Sequence, residues 1–256
     1  MTSADLLAIA CGGVVGLVLA LVGGGGSILA TPLLIYVVGV SSPHVAIGTS
    51  AMAVAVNAFA NLIAHARAGN VKWPCAAAFA GAGIIGALIG AAAGKRVDAH
   101  VILPLFALLM AAIAVNMLRP NQAEGDPTVH LTPEMAPRIA GAGLAVGFMS
   151  GFFGIGGGFL IVPGLMLASG MAMLNAVASS LFSVGAFGAA TAASYALDGM
   201  VDWRVAALFI AGGVLGGLLG APLSARLAKK RGLLRQMFAV LVLFVAAYVF
   251  YRSVAG

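Results

Sequence analysis

Residues 46–64 read AIGTSAMAVAVNAFANLIA, without a single charged side chain. A helix of about 20 apolar residues matches the hydrocarbon core of a bilayer. Seven further apolar runs, none with more than one charged side chain, lie at 4–22, 74–94, 101–118, 137–153, 173–196, 204–224 and 233–251. With 62% hydrophobic and only 8% charged residues, the chain lacks the polar surface that a soluble domain, at about 25% charged, turns toward water. The sequence predicts an all-α polytopic membrane protein of about eight transmembrane helices, with the lipid bilayer as its surroundings.

The net charge of +6 does not point to nucleic acid. The basic residues fall in short gaps between apolar runs, above all in RLAKKRGLLR (Arg226, Lys229, Lys230, Arg231 and Arg235). Cationic flanks of spanning helices account for them. Cys11 and Cys75 match no metal or redox spacing and read as small buried hydrophobes. The N-terminus has no basic region of the kind that opens a cleaved signal peptide, so the first run is expected to remain as a span.

The chain repeats one design. A shift of 131 lays Gly16 on Gly147, Gly23 on Gly154, Gly25 on Gly156, Gly26 on Gly157 and Pro32 on Pro163. A shift of 130 lays AIGTSA on AVASSL and GNVKW on GMVDW, with Trp73 on Trp203. Over 46–90 against 176–220, 15 of 45 positions are identical. Composition inflates that figure, but not the aligned Pro, Trp and Gly-turn landmarks. The expected organisation is two homologous four-helix repeats, 1–118 and 137–256, joined by a polar linker over 119–136 whose Glu124, Asp126 and Glu134 read as solvated. Four spans per copy make the repeats parallel. Lys95, Arg96 and the Arg226–Arg235 cluster then share a cytoplasmic side, with both termini outside. If the shorter apolar pieces at 28–38 and 159–168 change the crossing count, the repeats are inverted instead.

Those shorter pieces follow LVGGGG (21–26) and FGIGGG (153–158). Four consecutive glycines should break a helix, at roughly 1 kcal/mol each relative to alanine. In lipid an interrupted helix survives only where it is buried or lines a cavity. Paired interruptions at corresponding places are a sequence pointer to a transporter's central site. Each break is followed by a new helix start, SILATPLL and FLIVPGLM, and a helix N-terminus offers unpaired N–H groups and a positive dipole end to an anion. The candidate substrate site therefore comprises Gly24, Gly25, Gly26 and Ser27 with Gly156, Gly157 and Gly158. Packing is the competing explanation, and Gly212, Gly216 and Gly220 do form a small-xxx-small ladder. The contiguous runs do not have that spacing. Neither run fits a nucleotide-binding pattern: the second has Phe159 in place of the last glycine of G-x-G-x-x-G, and no G-K-[ST] follows either.

Neutral hydrogen-bond donors stand on the next helix of each copy. Thr49, Ser50 and Asn57 in the first copy, and Ser179, Ser180 and Ser183 in the second, are candidates to complete an oxyanion's hydrogen bonds; interhelical bonding is the alternative. Asn61 shares the face of Ser50 and Asn57. His44 reads as a loop histidine. No carboxylate stands mid-span, no metal-ligand or catalytic constellation is present, and no cofactor is implied, so an enzyme is not expected.

GGGGSILATP and GIGGGFLIVP, each followed by a GTSA or ASSL helix and a G-x-V-x-W turn, resemble the sulfite exporter TauE/SafE family along essentially the whole chain. The resemblance implies a permease of the bacterial inner membrane for small, often sulfur-containing anions such as sulfite or organosulfonates. It agrees with the anion site read from the glycine breaks and suggests alternating access. A passive anion channel and a carrier of a non-sulfur carboxylate are the alternatives, and the glycine ladders would also permit a homo-oligomer.

Overall fold

Glycine lets two helix backbones touch, and here it sets the whole arrangement. In the computed structural model, which describes residues 3–118, 125–153, 158–227 and 231–255, α1 (Ser3–Val22) packs on α9 (Trp203–Leu227), and α4 (Trp73–Gly94) packs on α6 (Ala136–Phe153). A Cβ on Gly16 would stand 1.9 Å from the Gly213 carbonyl oxygen, and one on Gly147 would stand 2.0 Å from that of Gly83. These two contacts occupy matching places at the sequence offsets above. The expected glycine ladder on α9 is thus a packing surface, with Gly212 against Ile9 and Gly216 against Gly13.

The remaining elements are α3 (Pro43–Arg67), α5 (Ala99–Leu118), α7 (Gly158–Ser169), α8 (Met173–Leu197) and α10 (Arg231–Ala255). Between α1 and α3 runs a composite segment: a 3₁₀ stretch η1 (Gly23–Leu29), one turn α2 (Ala30–Leu33) and a π-helical turn over Leu34–Val38. Among the described residues, five helices are long and apolar enough to cross a membrane: Ser3–Leu21, Pro43–Arg67, Trp73–Gly94, Met173–Leu197 and Trp203–Gly220. Their outer faces carry bare apolar side chains, for example Leu215, Leu218 and Leu219 on α9, each at least 60% exposed. In water such a surface would be untenable; against lipid it is the expected one. The fold is that of a polytopic α-helical membrane protein.

Helix starts and stops follow local chemistry. Pro43 opens α3, where its missing N–H has no partner to lose. Gly39, Gly69, Gly170 and Gly199, all at φ between 68° and 85°, end four helical segments in the left-handed conformation that only glycine adopts cheaply.

Contacts fix the helix directions. The α1–α9 pairs climb together, Gly12 with Phe209 and Gly16 with Gly213, so these helices are parallel. Asn57 meets Gly213 and Asn61 meets Gly217, so α3 runs parallel to both. Gly48 meets Tyr195 while Phe59 meets Gly185, so α3 and α8 are antiparallel. With α1 and α3 pointing the same way, residues 23–38 must carry the chain back. Gly26 confirms the reversal, lying against the backbone of Val18 and Leu19. This corrects the four-span count per copy, which required α1 and α3 to be antiparallel. It also moves the basic clusters apart. Lys95 and Arg96 follow the end of α4, whereas α9 ends and α10 begins at the opposite end of the bundle, beside the linker.

The linker is anchored. Asp126 N–H donates to the Gly170 carbonyl at 2.9 Å, and Ala172 N–H donates to the Asp126 carbonyl at 3.1 Å. The Asp126 carboxylate accepts from the Thr128 hydroxyl and N–H, and these bonds hold its pKa below the usual value. Its backbone therefore binds the α7–α8 turn, a role that solvation alone does not describe. Glu124 lies outside the described residues.

Candidate functional site

The returning segment of the first half packs against that of the second: η1 lies beside α7, and also touches α8. Gly26 packs on Leu19, and Gly188 of α8 meets Ala51 and Ala55 of α3. The two glycine-led segments thus approach each other inside the bundle, running antiparallel. Gly24 and Gly25 belong to η1, whose 3₁₀ path rises about 2.0 Å per residue. Four glycines therefore turn and tighten the chain; they do not unravel it. Gly158 is the first residue of α7. Gly156 and Gly157 lie outside the described residues.

Ser27, within η1, is fully buried. Thr31, on α2, and Ser50, on α3, share a hydrogen bond of 2.8 Å. The Ser50 hydroxyl donates to the Ile47 carbonyl at 2.9 Å, so Thr31 supplies the proton of the shared bond. Ser180 likewise donates to the Val177 carbonyl, at 2.7 Å. Both serines thus repeat one habit, bonding back to their own helix.

Thr49 and Ser179 have a different occupation. The Thr49 hydroxyl oxygen accepts the Asp202 N–H at 2.9 Å, and the Ser179 oxygen accepts the Lys72 N–H at 2.9 Å. Asp202 and Lys72 immediately precede α9 and α4, whose first N–H groups lack helical partners. Each hydroxyl therefore clamps the start of a helix from the other half of the chain. Because α3 and α8 are antiparallel, the clamps stand at opposite ends of the bundle and cannot act together on one small ion. Each retains a proton to donate.

Asn57 and Ser183 are buried with no hydrogen-bond partner on the Asn57 amide or the Ser183 hydroxyl. The Asn57 amide is wedged against Gly213, where a Cβ would come within 2.0 Å of Nδ2. Asn61 faces Gly217 and donates back to the Asn57 carbonyl at 2.9 Å. The polar stripe on α3 is therefore real: Asn57 and Asn61 meet α9, and Ser50, farther along the same face, meets Thr31 of the return segment. His44 lies in the first turn of α3, where the sequence suggested a loop, with Nδ1 buried and unpartnered. Cys11 and Cys75 are free and buried.

Two ion pairs close the end of the bundle that holds the N-terminus. Arg204 Nη2 donates to Asp5 at 2.8 Å. Lys95 pairs with Asp198 and donates to the Ser194 carbonyl at 3.1 Å, with its ammonium 5.7 Å from the centre of the Tyr195 ring. Sequence inspection missed Tyr195. The signal available was its place four residues after Thr191 on the stripe that begins at Ser179.

Comparison with known proteins gives these features a family. A probable membrane transporter protein of Xylella fastidiosa (strain Temecula1 / ATCC 700964) is 49% identical over 252 residues, covering 98% of this chain and 97% of that protein. The probable membrane transporter protein YunE of Bacillus subtilis (strain 168) is 27% identical over 228 residues, covering 81% and 84%. A probable membrane transporter protein of Haemophilus influenzae is 28% identical over 183 residues, covering 69% and 68%. No solved structure matches. The family description "Sulfite exporter TauE/SafE" matches residues 8–249, and the chain belongs to this family of membrane transporters.

Proposed function

We propose that this transporter is a secondary carrier of a small anion, with a sulfur oxyanion such as sulfite or an organosulfonate as cargo, working by alternating access. The observation that carries this is the meeting of η1 and α7 inside the bundle, each introduced by a glycine run. Backbone N–H groups around Gly24–Ser27 and Gly156–Gly158 hold the anion without a buried lysine or arginine. Ser50, Ser180 and the unpartnered Asn57 and Ser183 complete the shell, the two back-bonded serines rotating their protons toward the ion when it arrives. Thr49 and Ser179 support the site by holding α9 and α4 in place.

The architecture that fits these directions is an inverted repeat, 1–118 and 137–256, with five alternating segments per copy. Its two halves exchange partners: α1 packs on α9 as α6 packs on α4. Rocking between such halves exposes a central site to each side in turn. Arg67, Lys72, Arg138, Arg226, Arg231 and Arg235 stand on segments at the linker end, against Lys95, Arg96, Arg204 and Arg252 at the other. The linker end is therefore cytoplasmic and both termini are outside, in the inner membrane of a bacterium. Uptake of labelled sulfite, sulfoacetate, taurine, sulfate and acetate into proteoliposomes, with counterflow for each, tests the function. Saturable flux with counterflow for a sulfur oxyanion is expected. Acetate flux alone removes the sulfur assignment, and unsaturable flux without counterflow favours a channel.

A further inference from the structure

Along α8 a stripe with a spacing of four, Ser179, Ser183, Phe187, Thr191 and Tyr195, is fully buried. Three contacts fix where it points. Ser179 accepts the N–H of Lys72 just before α4, the Phe187 ring lies against Gly83 and stacks on Phe79 at 6.0 Å, and the Tyr195 ring lies under Lys95 just after α4. The stripe therefore runs along α4 from one end of that helix to the other, with Tyr195 also packing its Cβ on Gly48 of α3. Ser183 and Thr191, one turn to either side of Phe187, share this orientation.

The facing stripe of α4 is Cys75, Phe79, Gly83, Ala87 and Ala91, all buried and none able to satisfy a hydroxyl. Accordingly the hydroxyls of Ser183, Thr191 and Tyr195 have no partner. Other buried hydroxyls in this bundle do bond back to their own helix, as Ser50, Ser169 and Ser180 show. Ser150 on α6 is also unpartnered, but three such hydroxyls along one seam are unusual, since native structures satisfy nearly all buried polar groups. They offer donors to something that enters the seam.

We propose that the α4–α8 seam is a path for a small oxyanion, running from mid-height to the end of the bundle closed by Lys95. Ser183, Thr191 and Tyr195 donate to the ion in succession, Ser183 and Thr191 about 12 Å apart along the helix with Phe187 between them, and Thr191 and Tyr195 about 6 Å apart. The ammonium of Lys95 stands at the mouth, held back by Asp198 and the Ser194 carbonyl. Asp198 is the carboxylate in contact with this cation, and no carboxylate stands on either facing stripe. The seam thus selects anions. This proposal deepens the anion-carrier function and rests on it for the identity of the cargo.

The test uses cysteine substitution, with Cys11→Ala and Cys75→Ala as background. Ser183→Cys and Thr191→Cys, each in the full chain reconstituted in liposomes, are reacted with a methanethiosulfonate bearing a sulfonate and with its trimethylammonium counterpart. Both cysteines are expected to react about tenfold faster with the anionic reagent, while Val184→Cys, buried off the stripe, stays unmodified. Rates no faster than at position 184, or equal or faster reaction with the cationic reagent, would overturn the proposal. Should a cysteine variant fail to fold, Tyr195→Phe decides. A permanently dry hydroxyl is destabilising, so a thermal midpoint raised by several degrees contradicts the seam, whereas an unchanged or lowered midpoint supports it. Labelling is independent of the anion panel. If labelling succeeds and the panel fails, the cargo assignment is at fault; if the panel succeeds and labelling fails, the path is.

Discussion

The seam between α3 and α9 and the seam between α8 and α4 are the same joint filled differently. Both begin with a hydroxyl clamping a helix start, Thr49 on Asp202 and Ser179 on Lys72. Both place a mid-seam residue of one helix against a glycine of the other, Asn57 on Gly213 and Phe187 on Gly83. There the likeness ends. The first seam has amides at Asn57 and Asn61, and the second has an aromatic stack flanked by the hydroxyls of Ser183, Thr191 and Tyr195. Clamps and glycines hold the backbone, and they match in the two seams; the residues that do not match are the polar ones able to meet a ligand. A carrier that treats its two sides differently needs this kind of inequality.

Breaking the backbone contacts has the largest effect. Gly147→Val or Gly16→Val drives a side chain into a carbonyl oxygen about 2 Å away. Neither helix can yield without losing its ladder, so both variants should lose the folded, monodisperse protein in size-exclusion chromatography. Equal loss is expected because the two contacts are equivalent.

Mid-seam truncations should then separate the joints. Phe187→Ala removes a stacked, fully buried ring and costs roughly 3 kcal/mol, seen as a lower thermal midpoint in detergent. Asn57→Ala removes an amide with no partner and costs less than about 1 kcal/mol, while still impairing transport. Similar losses of stability from the two would refute the distinction.

The clamps predict a smaller, matched effect. Thr49→Val and Ser179→Ala should each cost about 1 kcal/mol, the worth of one hydrogen bond to a helix start. Smallest is Lys95→Met. Its partner Asp198 has a side chain 45% exposed, so solvent screens the pair and stability should change by less than about 1 kcal/mol.

Much of this was legible in the sequence. Every long apolar run became a helix with ends within a few residues, because a bilayer leaves a chain little choice but to satisfy its backbone internally. The direction of residues 23–38 was not legible. Consecutive glycines announce a change of path, and a half-length apolar piece looks alike whether it dips or returns. The parallel course of α1 and α3 and the approach of Gly26 to Leu19 decide it. The occupation of Thr49 and Ser179 was hidden for a related reason. Their partners are backbone N–H groups 153 and 107 residues away, and backbone groups leave no mark in composition. A hint did exist: the offset of 130 that aligns Thr49 with Ser179 also aligns Lys72 with Asp202.

The most direct measurement is sulfite counterflow in proteoliposomes holding either the unaltered protein or the Gly25→Ala, Gly157→Ala double variant. Saturable uptake stimulated by trans-loaded anion, lowered at least tenfold in a double variant that elutes normally, is the result predicted. Undiminished counterflow in that variant would contradict an anion site built on the glycine-led segments.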